Sequence, residues 1–201
     1  MIAIYAIVLI PFFIIITSQN IYTKISNHIN MRFFPKNIFD QNDEEDDYVQ
    51  RKYSGHLYAM NEKPIYETNS PDLTIYRFLY LRSFSIPIMI KVAVKENERN
   101  LKAIIPSEPR SVREKEINKT LNDKEIQEIE KYILKMDFWS LKTTNDPRLP
   151  VPDETRGIFE IYDKKNGYHV IDRLSPGYKE ETKTYAELIN YLLNLANSNL
   201  S

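Results

Sequence analysis

Cysteine is absent from this chain, so it holds no disulfide, no thiolate nucleophile and no thiolate metal site. That absence suits any redox compartment and leaves location open. Glycine is almost as scarce. Four residues in 201 leave little material for a phosphate-cradling or dinucleotide-binding turn, and neither a P-loop nor a G-x-S-x-G elbow occurs. There is no surplus of positive charge either: 27 basic residues face 28 acidic ones, a net charge of −1. A general nucleic-acid binder needs a basic surplus to displace counterions from phosphates, so nucleic acid is not an expected partner. The three histidines, His28, His56 and His169, are scattered with no acidic residue at metal-ligand spacing. No zinc site and no cofactor are expected from them. What the chain does have is enough apolar material for a core, with 42% hydrophobic and 12% aromatic residues, 14 of them tyrosine.

The longest uncharged stretch is Ile2 to Thr17, IAIYAIVLIPFFIIIT. It falls short of the roughly twenty residues of a perpendicular membrane helix and slightly exceeds a usual signal-peptide core. Two readings stay open over residues 1–22: a cleaved signal peptide, or a membrane anchor that borrows Ser18 to Tyr22 as its interfacial end. The signal reading lacks a positive n-region and has bulky Ile16 near the cleavage point. The anchor reading places Lys24, Arg32 and Lys36 behind the segment, which favours a cytoplasmic-facing domain. A buried core helix is disfavoured by Pro11 and by the wholly apolar circumference. The expectation is a membrane contact through residues 2–17, with the protein anchored or exported to the cell envelope.

Residues 23–52 read as a polar, acidic tether. Asp43-Glu44-Glu45-Asp46-Asp47 is a run of like charges, which repel one another and stay solvated. It lacks the alternating oxygen ligands and the glycine of a calcium loop. Phe33, Phe34, Ile38 and Phe39 interrupt the polar stretch and lie either on a membrane surface or against the domain.

Residues 53–201 read as a single α+β domain. Leu73 to Arg82 has strand character, with Tyr76, Phe78 and Tyr80 on one face and Leu73, Ile75, Leu79 and Leu81 on the other. Ile86 to Lys95 alternates more cleanly, and Pro87 makes it an edge strand or one that starts at a bend. Leu101 to Ile105 adds a short third strand. Asn122 and Glu125 form a capping-box relative, followed by the stripe Ile126, Ile129, Ile133 and Met136. Thr184 and Glu187 propose a second box ahead of Leu188, Ile189, Leu192, Leu193 and Leu195. The expected architecture is a largely antiparallel sheet of about five strands with two helices covering one face, behind an N-terminal apolar helix.

Asn166-Gly167 marks a hairpin between Gly157–Asp163 and Tyr168–Ser175. A two-residue turn there sets Lys165 opposite Tyr168 and pairs Ile161 with Asp172, Glu160 with Arg173 and Phe159 with Leu174. Glu160 and Arg173 then form an outward charge pair. Asp172 falls among Phe159, Ile161, Val170 and Leu174, an apolar face on which a lone carboxylate costs several kcal/mol. Its structural reading is that it satisfies N–H groups of the Ser175-Pro176-Gly177 turn. Its functional reading is a pocket-mouth acid working with Arg156, Arg148 or His169, although His169 lies on the opposite face in this register. Trp139 reads as core rather than as a stacking platform.

Phe138-Trp139, Asp153 to Gly157, Tyr168-His169-Val170-Ile171-Asp172-Arg173-Leu174-Ser175-Pro176 and Leu192-Leu193-Asn194-Leu195-Ala196 together resemble an uncharacterised bacterial family of exported or anchored α+β proteins. That family has a helix ending in Phe-Trp and a Tyr-His-Val-Val-Asp-Arg-Trp-Ser-Pro strand. The resemblance covers roughly Leu121 to Ala196. Gly157 and Leu174 stand where the family has tryptophan. The resemblance implies the fold and export, and brings no activity.

No catalytic constellation stands out. The first expectation is a non-catalytic envelope module that binds a protein or envelope component, with Asp172, Arg173, His169, Trp139 and Arg156 as candidate binding residues. The alternatives are a hydrolase using Asp172, His169 and Arg173, and an immunity-like inhibitor whose acidic run meets a basic partner.

Overall fold

A computed structural model describes residues 32–39, 42–82, 86–106, 114–144, 155–176 and 182–197. Along the chain these form α1 (Asp43–Ala59), β1 (Leu73–Leu81), β2 (Ile88–Lys95), β3 (Glu98–Pro106) and β4 (Glu114–Thr120). Next come α2 (Asp123–Lys135), a single 3-10 turn at Phe138–Ser140, β5 (Arg156–Asp163), β6 (Gly167–Leu174) and α3 (Lys183–Asn197). The six strands make one antiparallel sheet in the order β4-β3-β2-β1-β5-β6. The α+β class and antiparallel sheet thus stand as expected, with six strands instead of about five.

Alternation gives every inner strand two buried faces, and each face has its own core. On one side Tyr76, Phe78, Ile90, Val92, Leu101, Phe159, Ile161 and Ile171 pack beneath α2 and α3. On the other, Leu79, Leu81, Met89, Ile104, Ile158 and Val170 pack against α1 and the segment leading into it. The sheet is therefore covered on both faces, not one.

That second cover is the main correction to the tether. Val49, Tyr53, Leu57 and Met60 recur every three or four residues and bury one stripe of α1. Phe33 and Phe34 are fully buried beside them, and Phe34, Phe39 and Tyr53 meet edge-to-face. Each such side chain contributes about 1.5–3 kcal/mol of burial. The acidic run opens the helix instead of lying free. Asp46 is buried and accepts the Asn37 and Phe39 N–H groups at 2.8 and 3.1 Å, so it ties the entering chain to α1.

Asn122 caps α2 with both halves of its box in place: its side chain accepts from the Glu125 N–H, and Glu125 accepts from the Asn122 N–H. The second box does not form as expected. α3 starts at Lys183, which puts Thr184 inside its first turn, and Glu187 pairs instead with Lys135 at 2.9 Å. β2 begins just after Pro87 as expected of a bend, but it is an inner strand. Among the described side chains of β4, EKEINKT, only Ile117 is buried, which suits an edge strand and hides it from an apolar pattern.

The hairpin register differs from expectation by three residues. Asp163 pairs with Gly167, Ile161 with His169, Glu160 with Val170, Ile158 with Asp172 and Gly157 with Arg173. The Asp163 carboxylate accepts the Asn166 N–H and side-chain amide at 2.6 and 2.8 Å, and Gly167 takes the positive φ of 81°. The turn is therefore longer than two residues, with only Gly167 left-handed. An odd displacement reverses which β6 side chains share a face with β5.

No helix among the described residues is long and apolar enough to cross a membrane. The membrane segment at 2–17 lies outside the described residues, as do Arg148, Asp153 and Glu154.

Candidate functional site

Register sorts the five candidate residues into two groups on opposite faces of the sheet. Asp172 and Arg156 share the α1 face. Asp172 is 3% exposed, and its Oδ2 accepts from Arg156 Nη1 and from the Tyr53 hydroxyl, both at 2.9 Å. Its Oδ1 is buried without a hydrogen-bond partner among the described residues. Burial pushes the Asp172 carboxyl up in pKa, while Arg156 and Tyr53 pull it back. Tyr53 itself is raised well above the usual tyrosine value, first by burial and then by the Asp172 charge. The donors that Asp172 uses come from α1 and β5, Tyr53 and Arg156.

Arg173 turns the other way and is 6% exposed, so it is neither outward nor paired with Glu160. Its guanidinium donates to the Thr143, Asp172 and Lys142 carbonyls at 3.0, 2.8 and 2.9 Å. The Asp172 N–H donates to the Thr143 carbonyl at 2.6 Å. Together these bonds lay the 142–144 segment along the outer edge of β6. His169 points to the same face, with its ring 5.1 Å from Phe138 and 6.1 Å from Trp139. Its Nε2 lies 2.9 Å from the Leu141 carbonyl, which only accepts, so Nε2 carries the proton. Burial lowers the His169 pKa, and nearby Arg173 lowers it further.

The reversed register also frees Glu160 for a partner that sequence reasoning missed. Glu160 sits opposite Arg77 of β1 and takes two hydrogen bonds from its guanidinium, at 2.6 and 2.9 Å. Tyr168 adds a third donor at 2.9 Å. Arg77 also donates to the Lys63 carbonyl and lies over the Phe33 ring. One and two strands along in the same row, Lys91 and Lys102 meet buried Glu62 at 2.6 and 3.3 Å. The signal for this ladder was a lone charge inside each apolar strand, Arg77 in LTIYRFLYL and Glu160 in RGIFEIYD.

Three surface cavities matter for ligand access. Two adjoin on the α1 face, of about 670 and 280 Å³, sharing Lys91, Ala93 and Lys102. The two lysines there are already bound to Glu62. The third, of about 240 Å³, opens on the α2 face between α2, the 3-10 turn, β1 and β5. Tyr76, Ile133, Phe138, Trp139 and Ile161 wall it; Glu130, Asp137 and Asp163 carry its charge. Trp139 is only partly buried here, so it is a wall of an open cleft as well as a core neighbour. Asp137 holds a left-handed backbone, φ 48°, which turns the chain from α2 into Phe138 and Trp139. Among the described residues no group of acidic and histidine side chains is arranged to hold a metal ion.

No model of a known protein family matches this chain, and no curated protein matches it.

Proposed function

We propose that this protein is a non-catalytic binding module, held at or exported across a membrane by residues 2–17, whose contact surface is the cleft beside Trp139. The observation that carries this reading is a contrast of access. The chemically distinctive acid, Asp172, is closed beneath α1 with its donors drawn from Tyr53 and Arg156. The cleft around Trp139 is open, with the Trp139 ring partly exposed in it, and is bordered by Leu134, which is 82% exposed. Large exposed apolar groups beside a concave aromatic surface favour a partner contact.

The hydrolase reading draws little support from this geometry, because Asp172 and Arg156 lie across the sheet from His169 and Arg173. The inhibitor reading weakens too, since Asp46 is spent on backbone N–H groups and Asp47 pairs with Arg32. The test is in-cell crosslinking of the full-length chain, followed by recovery from membrane and soluble fractions. Capture of a defined partner should survive Asp172→Asn and fall with Leu134→Asp, an exposed change that leaves the fold intact. Capture indifferent to Leu134→Asp would overturn the choice of surface, and intact chain recovered only from the soluble fraction would overturn the membrane part.

A further inference from the structure

The cleft beside Trp139 pairs two chemistries that seldom meet without a reason. Its floor is aromatic and aliphatic, from Tyr76, Phe138, Trp139, Ile133 and Ile161, while its border carries only negative charge, from Glu130, Asp137 and Asp163. None of the ion pairs formed among the described residues neutralises these three carboxylates. The nearest lysines on α2 are committed elsewhere, Lys131 to Glu128 and Lys135 to Glu187. Tyr76 is buried, and its hydroxyl is held neutral by burial and by the Glu130 and Asp163 charges. The cleft therefore presents the Trp139 ring and carboxylates but no cation of its own, with Tyr76, Phe138 and Ile161 buried behind it.

We infer that the cleft takes an arginine or lysine side chain from a protein partner, with an adjacent apolar residue of that partner resting on Leu134. This rests on the binding-module reading and names the chemistry of its partner. A cavity of about 240 Å³ matches one long side chain better than a whole small-molecule ligand, whose pockets run from about 300 Å³ upward. A guanidinium or ammonium over an aromatic face gains a cation–π attraction, and the carboxylate border adds charge-assisted hydrogen bonds at the head group. The aliphatic stem of either side chain is suited to the Leu134 edge of the cleft. The cleft borders an exposed leucine, the arrangement of a central anchor with an apolar neighbour seen where few residues carry most of a contact.

Trp139 is the one tryptophan of the chain, so its emission reports this cleft without a label. The probes are four capped tripeptides, acetyl-Gly-X-Gly-amide, with X as arginine, lysine, norleucine or glutamate. The expected result is a saturable change in emission with the arginine and lysine peptides, with norleucine and glutamate weaker by at least about tenfold. The double variant Glu130→Gln/Asp137→Asn should weaken the cationic peptides by about tenfold as well. Both sites are exposed, and asparagine tolerates the left-handed backbone at position 137, so the fold is retained. Equal binding of norleucine, equal binding by the double variant, or no saturable response would each overturn the cation assignment. Partner capture by the full-length chain separates this from the broader reading. Capture lost in the double variant supports the inference. Capture lost in Leu134→Asp but kept in the double variant overturns the cation and leaves the docking surface. Capture kept in both overturns the docking surface too.

Discussion

Asp172 carries two donors on one oxygen and none on the other among the described residues, in a site almost closed to water. Replacing it by alanine removes the carboxylate to which Arg156 Nη1 and the Tyr53 hydroxyl both donate. Removing one partner of a buried ion pair costs about 3–5 kcal/mol, so Asp172→Ala should lower stability in urea unfolding by that amount. Arg173→Ala should cost about 1–3 kcal/mol, since it removes the donor to the Lys142 carbonyl and leaves the Thr143 carbonyl only the Asp172 N–H. An outward, solvated Arg173 would have cost much less, so a change near zero would contradict the register described here. His169 gives a pH signature. Its folded pKa lies below the ordinary 6.5, so the unfolded chain binds its proton more readily. Its contribution is complete above the unfolded value and is lost as pH falls through that value toward the folded one. The stability of wild type minus that of His169→Gln should therefore fall between about pH 7.5 and pH 5.5. Asp172 and Glu160, both raised by burial, act with the opposite sign, but they are common to both proteins and cancel in the difference. A difference independent of pH would refute the neutral, half-buried imidazole.

At the level of elements, α1 decides where the domain begins. A chain cut to start at Tyr53 loses Phe33, Phe34, Phe39, Val49 and the Asp46 tie, and uncovers Leu79, Met89 and Ile158. Limited proteolysis should leave a resistant fragment that retains Phe33, and Leu57→Ala should cost about 2–5 kcal/mol. Gly157 makes a second element-scale test. A Cβ built there lies 2.9 Å from the Tyr185 hydroxyl, so α3 and β5 meet at that glycine. Gly157→Ala should destabilise the domain by about 1–3 kcal/mol in thermal unfolding, and Gly157→Ala/Tyr185→Phe should recover part of it. These elements also show what was legible beforehand. β1, β2 and β3 declared themselves by alternation, and α2 by the Asn122–Glu125 box. α1 carried its stripe Val49, Tyr53, Leu57 and Met60 in plain sequence, yet buried Asp46, Gln50 and Ser54 diluted it. The Asn166-Gly167 turn was legible but its length was not, because that depended on where the Asp163 carboxylate reached. One misjudged turn then misassigned the faces of Asp172, Arg173 and Glu160 together.

Across the whole molecule, two cores share one sheet, and the contacts that close them join distant parts of the chain. The cleft beside Trp139 needed this scale to appear, since Tyr76, Glu130, Trp139 and Asp163 come from four elements and form no sequence motif. The same long reach sets an order of events during synthesis. Arg77 waits for Glu160, 83 residues later, and Tyr53 waits for Asp172, 119 residues later. At about 5–20 residues per second, the ribosome takes roughly 6–24 s to cover the longer interval. Throughout it, α1 is without β6, and Tyr53 is without the carboxylate that holds its hydroxyl. Only when β6 has emerged can the sheet close over Tyr53, so α1 is among the last of the described elements to gain all its native partners.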